Sequence, residues 1–149
     1  MTVYKRILLA TDFSDINLVA ARRAVVLAER DGSELIFLHV IEHFPWDGGP
    51  LSSVFQNRNE ASDALVRQAR SRMGALKRDL GYEKIREELT ITPKSARHEI
   101  LRFAKEHDVD LIVVAPHGQG IIGTLGSTAT GILNNAVCDV LAVREPGKP

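Results

Sequence analysis

Hydrophobic residues in this chain form short unbroken runs that are separated by longer segments with a helical repeat. The strands that they predict lie at 7–10, 35–41 and 110–116; the apolar run is continuous at 7–10 and 111–115, and His39 alone interrupts it at 35–41. Apolar runs without alternation are typical of parallel strands that are buried on both faces. A charged and partly alternating run at 85–92 predicts an edge strand, and the apolar segment at 139–144 predicts a last strand.

Apolar residues recur at helical spacing in the intervals between these strands. The predicted helices cover about 16–30, 58–80, 96–107 and 128–136. Ser14 or Asp15 can cap the first helix, Gly32 can end it, and Ser95 can cap the third. Strict alternation of strands and helices predicts an α/β fold, namely a doubly wound, mostly parallel sheet with helices on both faces.

Ligands of such sheets bind beyond the carboxyl ends of the strands, at the point where the strand order reverses. The first and fourth strands are expected to flank that point. Thr11 and Asp12 follow the first strand, and Pro116, His117 and Gly118 follow the fourth. We therefore expect a binding site where these two strands end.

The composition mainly excludes classes of function. The 149 residues are enough for one domain, predicted to span 1–149, and they carry no formal net charge. A neutral chain is atypical of proteins that bind nucleic acid by general electrostatic attraction. No apolar run approaches the ~20 residues that span a bilayer, and no secretory leader pattern is evident. With a single cysteine as well, we expect a cytoplasmic protein without nucleic-acid or membrane partners.

A glycine-rich segment follows the fourth predicted strand. Glycines at 118, 120, 123 and 126 precede Ser127 and Thr128, which open the last predicted helix. Glycine allows backbone N–H groups to approach an anion closely, and a helix N-terminus adds donors and partial positive charge. The segment therefore predicts a cradle for phosphate groups.

Catalytic and metal signatures are lacking in the sequence. It contains no Walker Gly-Lys-Ser/Thr, no nucleophile–base pair at a familiar spacing, and no metal-ligand spacing among its histidines and cysteine. His39 is interpreted as a structural residue of the second strand. His117 is either a phosphate donor or a solvated loop residue, and Trp46 either covers a ligand or packs its own loop.

The chain resembles the universal stress proteins over nearly its whole length. The resemblance rests on the segments 7–14, 38–40, 110–114, 126–128 and 138–143. It implies a five-stranded parallel sheet of order 3-2-1-4-5 and a homodimer that pairs through the last strand. In the nucleotide-binding branch of the family it also implies ATP.

The resemblance assigns roles to individual residues. It implies that Asp12 contacts the nucleoside and that backbone groups of Val40 pair with adenine, whereas from the residues alone Asp12 could simply cap the first helix. The branch pattern Gly-x2-Gly-x9-Gly-Ser/Thr places Ala115 at the first glycine and Gly118 at the second, with seven rather than nine residues before Gly126. The candidate binding residues are Thr11, Asp12, Val40, Ala115, His117, Gly118, Gly120, Gly126, Ser127 and Thr128.

Two functions remain open at this point. The first is a stress-response sensor or regulator that binds ATP, with Mg²⁺ as a bridging ion and slow hydrolysis at most; the shortened loop favours ADP or AMP. The second is a regulatory dimer that binds no nucleotide and acts through protein contacts. An apolar run at 140–143, at the edge of the sheet, favours pairing with a second copy in either case.

Overall fold

The computed structural model describes residues 3–42, 58–116 and 126–144. Five strands and four helices alternate along these ranges as the sequence predicts, with boundaries within two residues of those expected. They are β1 (Arg6–Ala10), α1 (Asp15–Asp31), β2 (Glu34–Glu42), α2 (Arg58–Leu80), β3 (Ile85–Thr92), α3 (Ala96–Glu106), β4 (Leu111–Val114), α4 (Ser127–Asn135) and β5 (Asp139–Ala142).

The strands form one sheet of order β3-β2-β1-β4-β5, and all neighbouring pairs are parallel. This confirms the predicted doubly wound fold and the edge position of β3. At the centre of the sheet, Leu8 of β1 is in register with Ile36 of β2 and Ile112 of β4. The chain runs from β1 outwards to β3 and then returns to the other side of β1, so the strand order reverses between β1 and β4.

Two hydrophobic cores lie on opposite faces of the sheet. On one face Phe37 and Met73 are fully buried among side chains of α1 and α2. On the other face Ile36, Ile112 and Ile132 pack with α3 and α4. Since both faces of the central strands are covered, their sequences are continuously apolar rather than alternating.

The residues predicted to cap the first and third helices do so in the structure. Ser14 is the N-cap of α1 and its hydroxyl accepts a hydrogen bond from the Asn17 N–H at 3.3 Å. Gly32 follows α1 with φ of 68°, a left-handed conformation that glycine adopts without steric cost. Ser95 caps α3 in the same way as Ser14 caps α1.

Gly131 has a packing role in α4 beyond the weakening of the helix that its sequence suggests. It is buried, and the aliphatic part of Arg97 from α3 lies against its backbone where a side chain would otherwise project. The absence of a Cβ thus lets α3 and α4 approach each other beside the sheet.

A buried carboxylate connects the end of β3 to α3. Glu99 is 7% exposed and its Oε2 accepts a hydrogen bond from Arg102 at 2.6 Å. Its Oε1 accepts from the hydroxyl of buried Thr92 at 3.3 Å. The Arg102 hydrogen bond holds the pKa of Glu99 below its ordinary value, against the opposing effect of burial.

The depressed pKa of Glu99 predicts a pH-dependent contribution to stability. A carboxyl whose folded pKa is lowered stabilises the fold above its unfolded pKa of about 4.3, and this contribution is lost as pH falls through the folded value. Glu99→Gln should therefore lower the urea midpoint at pH 7, and the difference from wild type should shrink towards pH 3. Glu106→Gln, which removes an exposed partner of the same arginine, should have a smaller effect. A Glu99→Gln deficit that stays constant from pH 7 to pH 3 would contradict this account.

Candidate functional site

A cavity of about 250 Å³ opens at the carboxyl ends of β1, β2 and β4, between the first turns of α3 and α4. This is the point where the strand order reverses. The residues that line it are Ala10, Thr11, Asp12, Asn17, Leu38, His39, Val40, Glu42, Ala96, Ile100, Val114, Ala115, Thr128 and Ala129. Its volume is slightly below the range of small-molecule sites, which begins at about 300 Å³.

Half of the candidate residues lie together on this cavity: Thr11, Asp12, Val40, Ala115 and Thr128. Gly126 and Ser127 directly precede Thr128 at the start of α4. His117, Gly118 and Gly120 lie outside the described residues, as does Trp46.

Thr11 is fixed at the end of β1 through several of its polar groups. It is 6% exposed, and its N–H donates to the Leu38 carbonyl at 2.9 Å. Its hydroxyl donates to Oδ1 of Asn17 and accepts from the Phe13 N–H at 3.1 Å. Asn17 also donates through Nδ2 to the Ala10 carbonyl at 3.0 Å. This network ties the end of β1 to the first turn of α1.

Asp12 serves the start of α1 and also borders the cavity. Its Oδ1 accepts hydrogen bonds from the Ser14 N–H at 2.9 Å and from the Ser14 hydroxyl at 2.6 Å. The residue is exposed and lies on the cavity wall. The two alternatives drawn from the sequence, helix start and ligand contact, are therefore compatible in space.

His39 lies on β2 beside the same turn. Its Nδ1 is 2.7 Å from the carbonyl oxygen of Thr11, and its ring centroid is 4.5 Å from that of Phe13. These contacts agree with the structural role predicted for it. His39 is also among the residues that line the cavity, which the sequence did not indicate.

The two helices at the cavity begin differently. The first turn of α3 is capped by Ser95, and the Glu42 carboxylate also accepts the Ala96 N–H at 2.8 Å. At α4 the N-cap is Gly126, which has no side chain to accept a hydrogen bond, and the first turn holds no acidic residue. Since the first N–H groups of a helix lack intrahelical acceptors, the α4 terminus presents donors and partial positive charge beside the cavity.

Gly126 itself has an ordinary backbone conformation. Its φ of −66° and ψ of 166° are accessible to any residue. A left-handed backbone is therefore not the reason for a glycine at this position.

The sequence analysis did not identify Asn17, Glu42 and Ile100 as cavity residues, although one of them carried a detectable signal. Asn17 is a polar residue at a helix position that proves to be 3% exposed, and a polar side chain within an apolar stripe is a detectable signal. Glu42 and Ile100 gave no such signal, because their position at the cavity depends on how β2 and α3 pack.

Metal-binding clusters and membrane-spanning helices are both absent from the parts of the chain that the structure describes. No group of three or more His, Cys, Asp or Glu residues there is arranged to hold a metal ion. Among those residues no helix combines the length and apolar character needed to cross a membrane.

Comparison with known proteins gives one consistent result. The model of the universal stress protein family matches residues 3–144. Universal stress protein A homolog 2 of Coxiella burnetii is 35% identical over 153 residues, covering 99% of this chain and 99% of that protein. The solved structure of the universal stress protein UspA from Lactobacillus plantarum superposes with a TM-score of 0.79 at 26% identity, covering 97% of this chain and 100% of that one.

A second solved structure is similar over nearly the whole chain. A universal stress protein in complex with cAMP is similar with a TM-score of 0.63 and 26% identity, covering 96% of this chain and 98% of that chain. The family model matches nearly all residues, and the relative from Coxiella burnetii and the similar solved structures are universal stress proteins too. The chain therefore belongs to the universal stress protein family.

Proposed function

We propose that this protein binds an adenine nucleotide in the cavity at the β1–β4 switch point and acts as a sensor or regulator in a stress response. One observation carries the proposal. Asp12, Val40 and Thr128, which are far apart in sequence, line one cavity, and the start of α4 borders it.

The nucleoside would occupy the part of the cavity between β2 and α3. Ala10, Val40 and Ile100 form an apolar wall that suits the face of a base. The Asp12 carboxylate can accept hydrogen bonds from ribose hydroxyls in addition to those from Ser14, since an ionised carboxylate has about four lone-pair sites. The similar protein whose structure contains cAMP supports an adenine ligand.

The phosphates would lie at the start of α4. Backbone N–H groups and the hydroxyls of Ser127 and Thr128 are donors there, and an anion favours the positive end of the helix. Mg²⁺ usually keeps several waters, so the phosphates would hold it together with water or Asp12. The chemistry that Mg²⁺ supplies would be neutralisation of phosphate charge.

The cavity favours a short phosphate chain. Its volume is about 250 Å³, and the segment between Gly118 and Gly126 is two residues shorter than the nucleotide-binding pattern, which leaves less backbone to cover a γ-phosphate. We therefore expect AMP to bind at least as well as ADP, and ATP to bind only if the loop that follows β4 completes the site.

Mass spectrometry of the small molecules released from denatured, freshly purified protein tests the proposal without choosing a ligand in advance. An adenine nucleotide in near-stoichiometric amount would support it. A nucleotide-free protein that also fails to bind added AMP, ADP or ATP would leave the regulatory dimer that acts through protein contacts as the better description.

A homodimer through β5 is part of the proposed function. β5 is an edge strand with half-buried Val140 and Leu141, and an exposed apolar edge favours pairing with another strand. In a two-fold pairing each copy would present the same strand to the other.

Leu141→Lys should shift the protein towards monomer, because like charges would be brought together across the two-fold pairing. Sedimentation velocity at micromolar concentration measures the shift. Val26→Lys, which changes a 59% exposed apolar residue on α1, is the matched control and should leave the sedimentation coefficient unchanged. A wild-type protein that sediments as a monomer would refute the dimer.

A further inference from the structure

A side chain of the neighbouring strand β2 contacts the turn that contains Asp12. Asp12 lies between Thr11 and Phe13 in sequence, and His39 of β2 contacts both of them. Its Nδ1 lies 2.7 Å from the Thr11 carbonyl oxygen, and its ring packs on Phe13 at a centroid distance of 4.5 Å. Both contacts of the ring therefore go to the residues that flank Asp12.

The hydrogen bond requires a hydrogen on Nδ1 of His39. A carbonyl oxygen can only accept, so Nδ1 must carry the hydrogen and donate it. The Thr11 N–H is already bonded to Leu38, and its hydroxyl to Asn17. With the hydrogen bond from His39, the N–H, the hydroxyl and the carbonyl of Thr11 all have partners, so the residue immediately before Asp12 is held in place.

The conformation of the turn explains why such support is needed. Phe13 has φ of 64°, which is unfavourable for a residue with a side chain. Backbone of this kind is energetically unfavourable and persists where the surroundings hold it in place. The Phe13 N–H donates to the Thr11 hydroxyl at 3.1 Å, and the His39 ring packs against the Phe13 side chain.

We propose that His39 is a positioning residue for the nucleotide site: through the Thr11 carbonyl and the Phe13 ring it sets the direction in which Asp12 faces the cavity. The proposal rests on the proposed function, because Asp12 is taken to bind the ribose. Asn17 holds the same turn from the side of α1 through Thr11.

A double-mutant cycle with AMP as the probe tests the positioning role. We compare the affinities of wild type, His39→Leu, Asp12→Ala and the double variant by calorimetry. His39→Leu should weaken AMP binding roughly 3- to 10-fold, as expected for one lost hydrogen bond. In the Asp12→Ala background, His39→Leu should change the AMP affinity less than about twofold, because His39 acts on the ligand only through Asp12.

Two conservative variants separate the possible roles of the ring. His39→Asn keeps an N–H donor close to the position of Nδ1 and should recover most of the affinity. His39→Gln places its amide nearer the position of Nε2 and should not. Rescue by Gln alone, or an equal loss in the Asp12→Ala background, would overturn the positioning role.

A measurement without ligand separates this inference from the proposed function. The Ser14 amide donates to Asp12, so its hydrogen exchange reports where that carboxylate lies. Exchange should accelerate in His39→Leu and return towards the wild-type rate in His39→Asn. Unchanged exchange would overturn the inference. Wild type that binds no nucleotide while the exchange pattern holds would overturn the proposed function alone.

Discussion

Ala10→Phe is expected to reduce nucleotide binding by at least about a hundredfold, a loss of about 2.7 kcal/mol. Ala10 is the last residue of β1, is half-buried, and lines the cavity between Leu38 and Val114. A phenyl group on this central strand would occupy much of a cavity of about 250 Å³. The base could then no longer enter, whatever the phosphate contacts contribute.

The control for Ala10→Phe must show that the fold survives. Inserting a large side chain at a packed position typically costs about 1–3 kcal/mol. Ala136→Phe is a matched change, because Ala136 is also half-buried and packs against the same core, but it lies at the other end of α4 and does not line the cavity. Calorimetry should find near wild-type affinity for Ala136→Phe. Tight nucleotide binding by Ala10→Phe would contradict the assignment of the cavity.

Asp12→Ala is expected to weaken nucleotide binding roughly ten- to a hundredfold, corresponding to about 1.5–3 kcal/mol for a hydrogen bond to a charged acceptor. Asp12 is an exposed residue on the cavity wall, just after the end of β1. Asp12→Asn, which keeps an oxygen for Ser14 but removes the charge, should fall between wild type and Asp12→Ala.

A second variant separates ligand binding by Asp12 from its role at the start of α1. Ser14→Ala removes the N-cap hydroxyl, which accepts from Asn17 and donates to Asp12. Loss of such a cap typically costs about 0.5–2 kcal/mol of stability. Thermal denaturation should show that loss for Ser14→Ala, whereas its nucleotide affinity should change much less than that of Asp12→Ala. Equal losses of affinity in the two variants would mean that Asp12 acts through the helix start.

The sheet could be predicted from sequence because its signals are local. Ile7, Leu8 and Leu9 are all fully buried, as an unbroken apolar run between polar segments indicates. Ser14 and Gly32 act at the ends of α1 through hydrogen bonds and backbone angles within a few residues, so their roles need no tertiary information.

Strand ends were predicted less well for a physical reason. β4 was expected to reach residue 116 but ends at Val114, which pairs with Ala142, the last residue of β5. Pro116 lacks an N–H for the ladder, so the sheet cannot extend through it. Ser127 and Thr128 were correctly expected at the start of the last helix, yet the cap is Gly126.

The cavity could be predicted only in part. Thr11 and Asp12 were found because they follow a central strand, where parallel sheets bind ligands. The contacts of His39 with Thr11 and Phe13 depend on which residues of β2 lie beside the end of β1, and that register is not encoded in either strand alone. Alternation within a strand indicates which face a residue occupies but not the partner it meets across the sheet.

Calorimetric titration of AMP, ADP and ATP into nucleotide-stripped protein is the most direct test of nucleotide binding at the switch point. We expect saturable binding of AMP with a dissociation constant below about 1 mM, weakened at least about a hundredfold by Ala10→Phe and roughly ten- to a hundredfold by Asp12→Ala. If wild-type protein bound none of the three nucleotides with a dissociation constant below about 1 mM, nucleotide binding at the switch point would be contradicted.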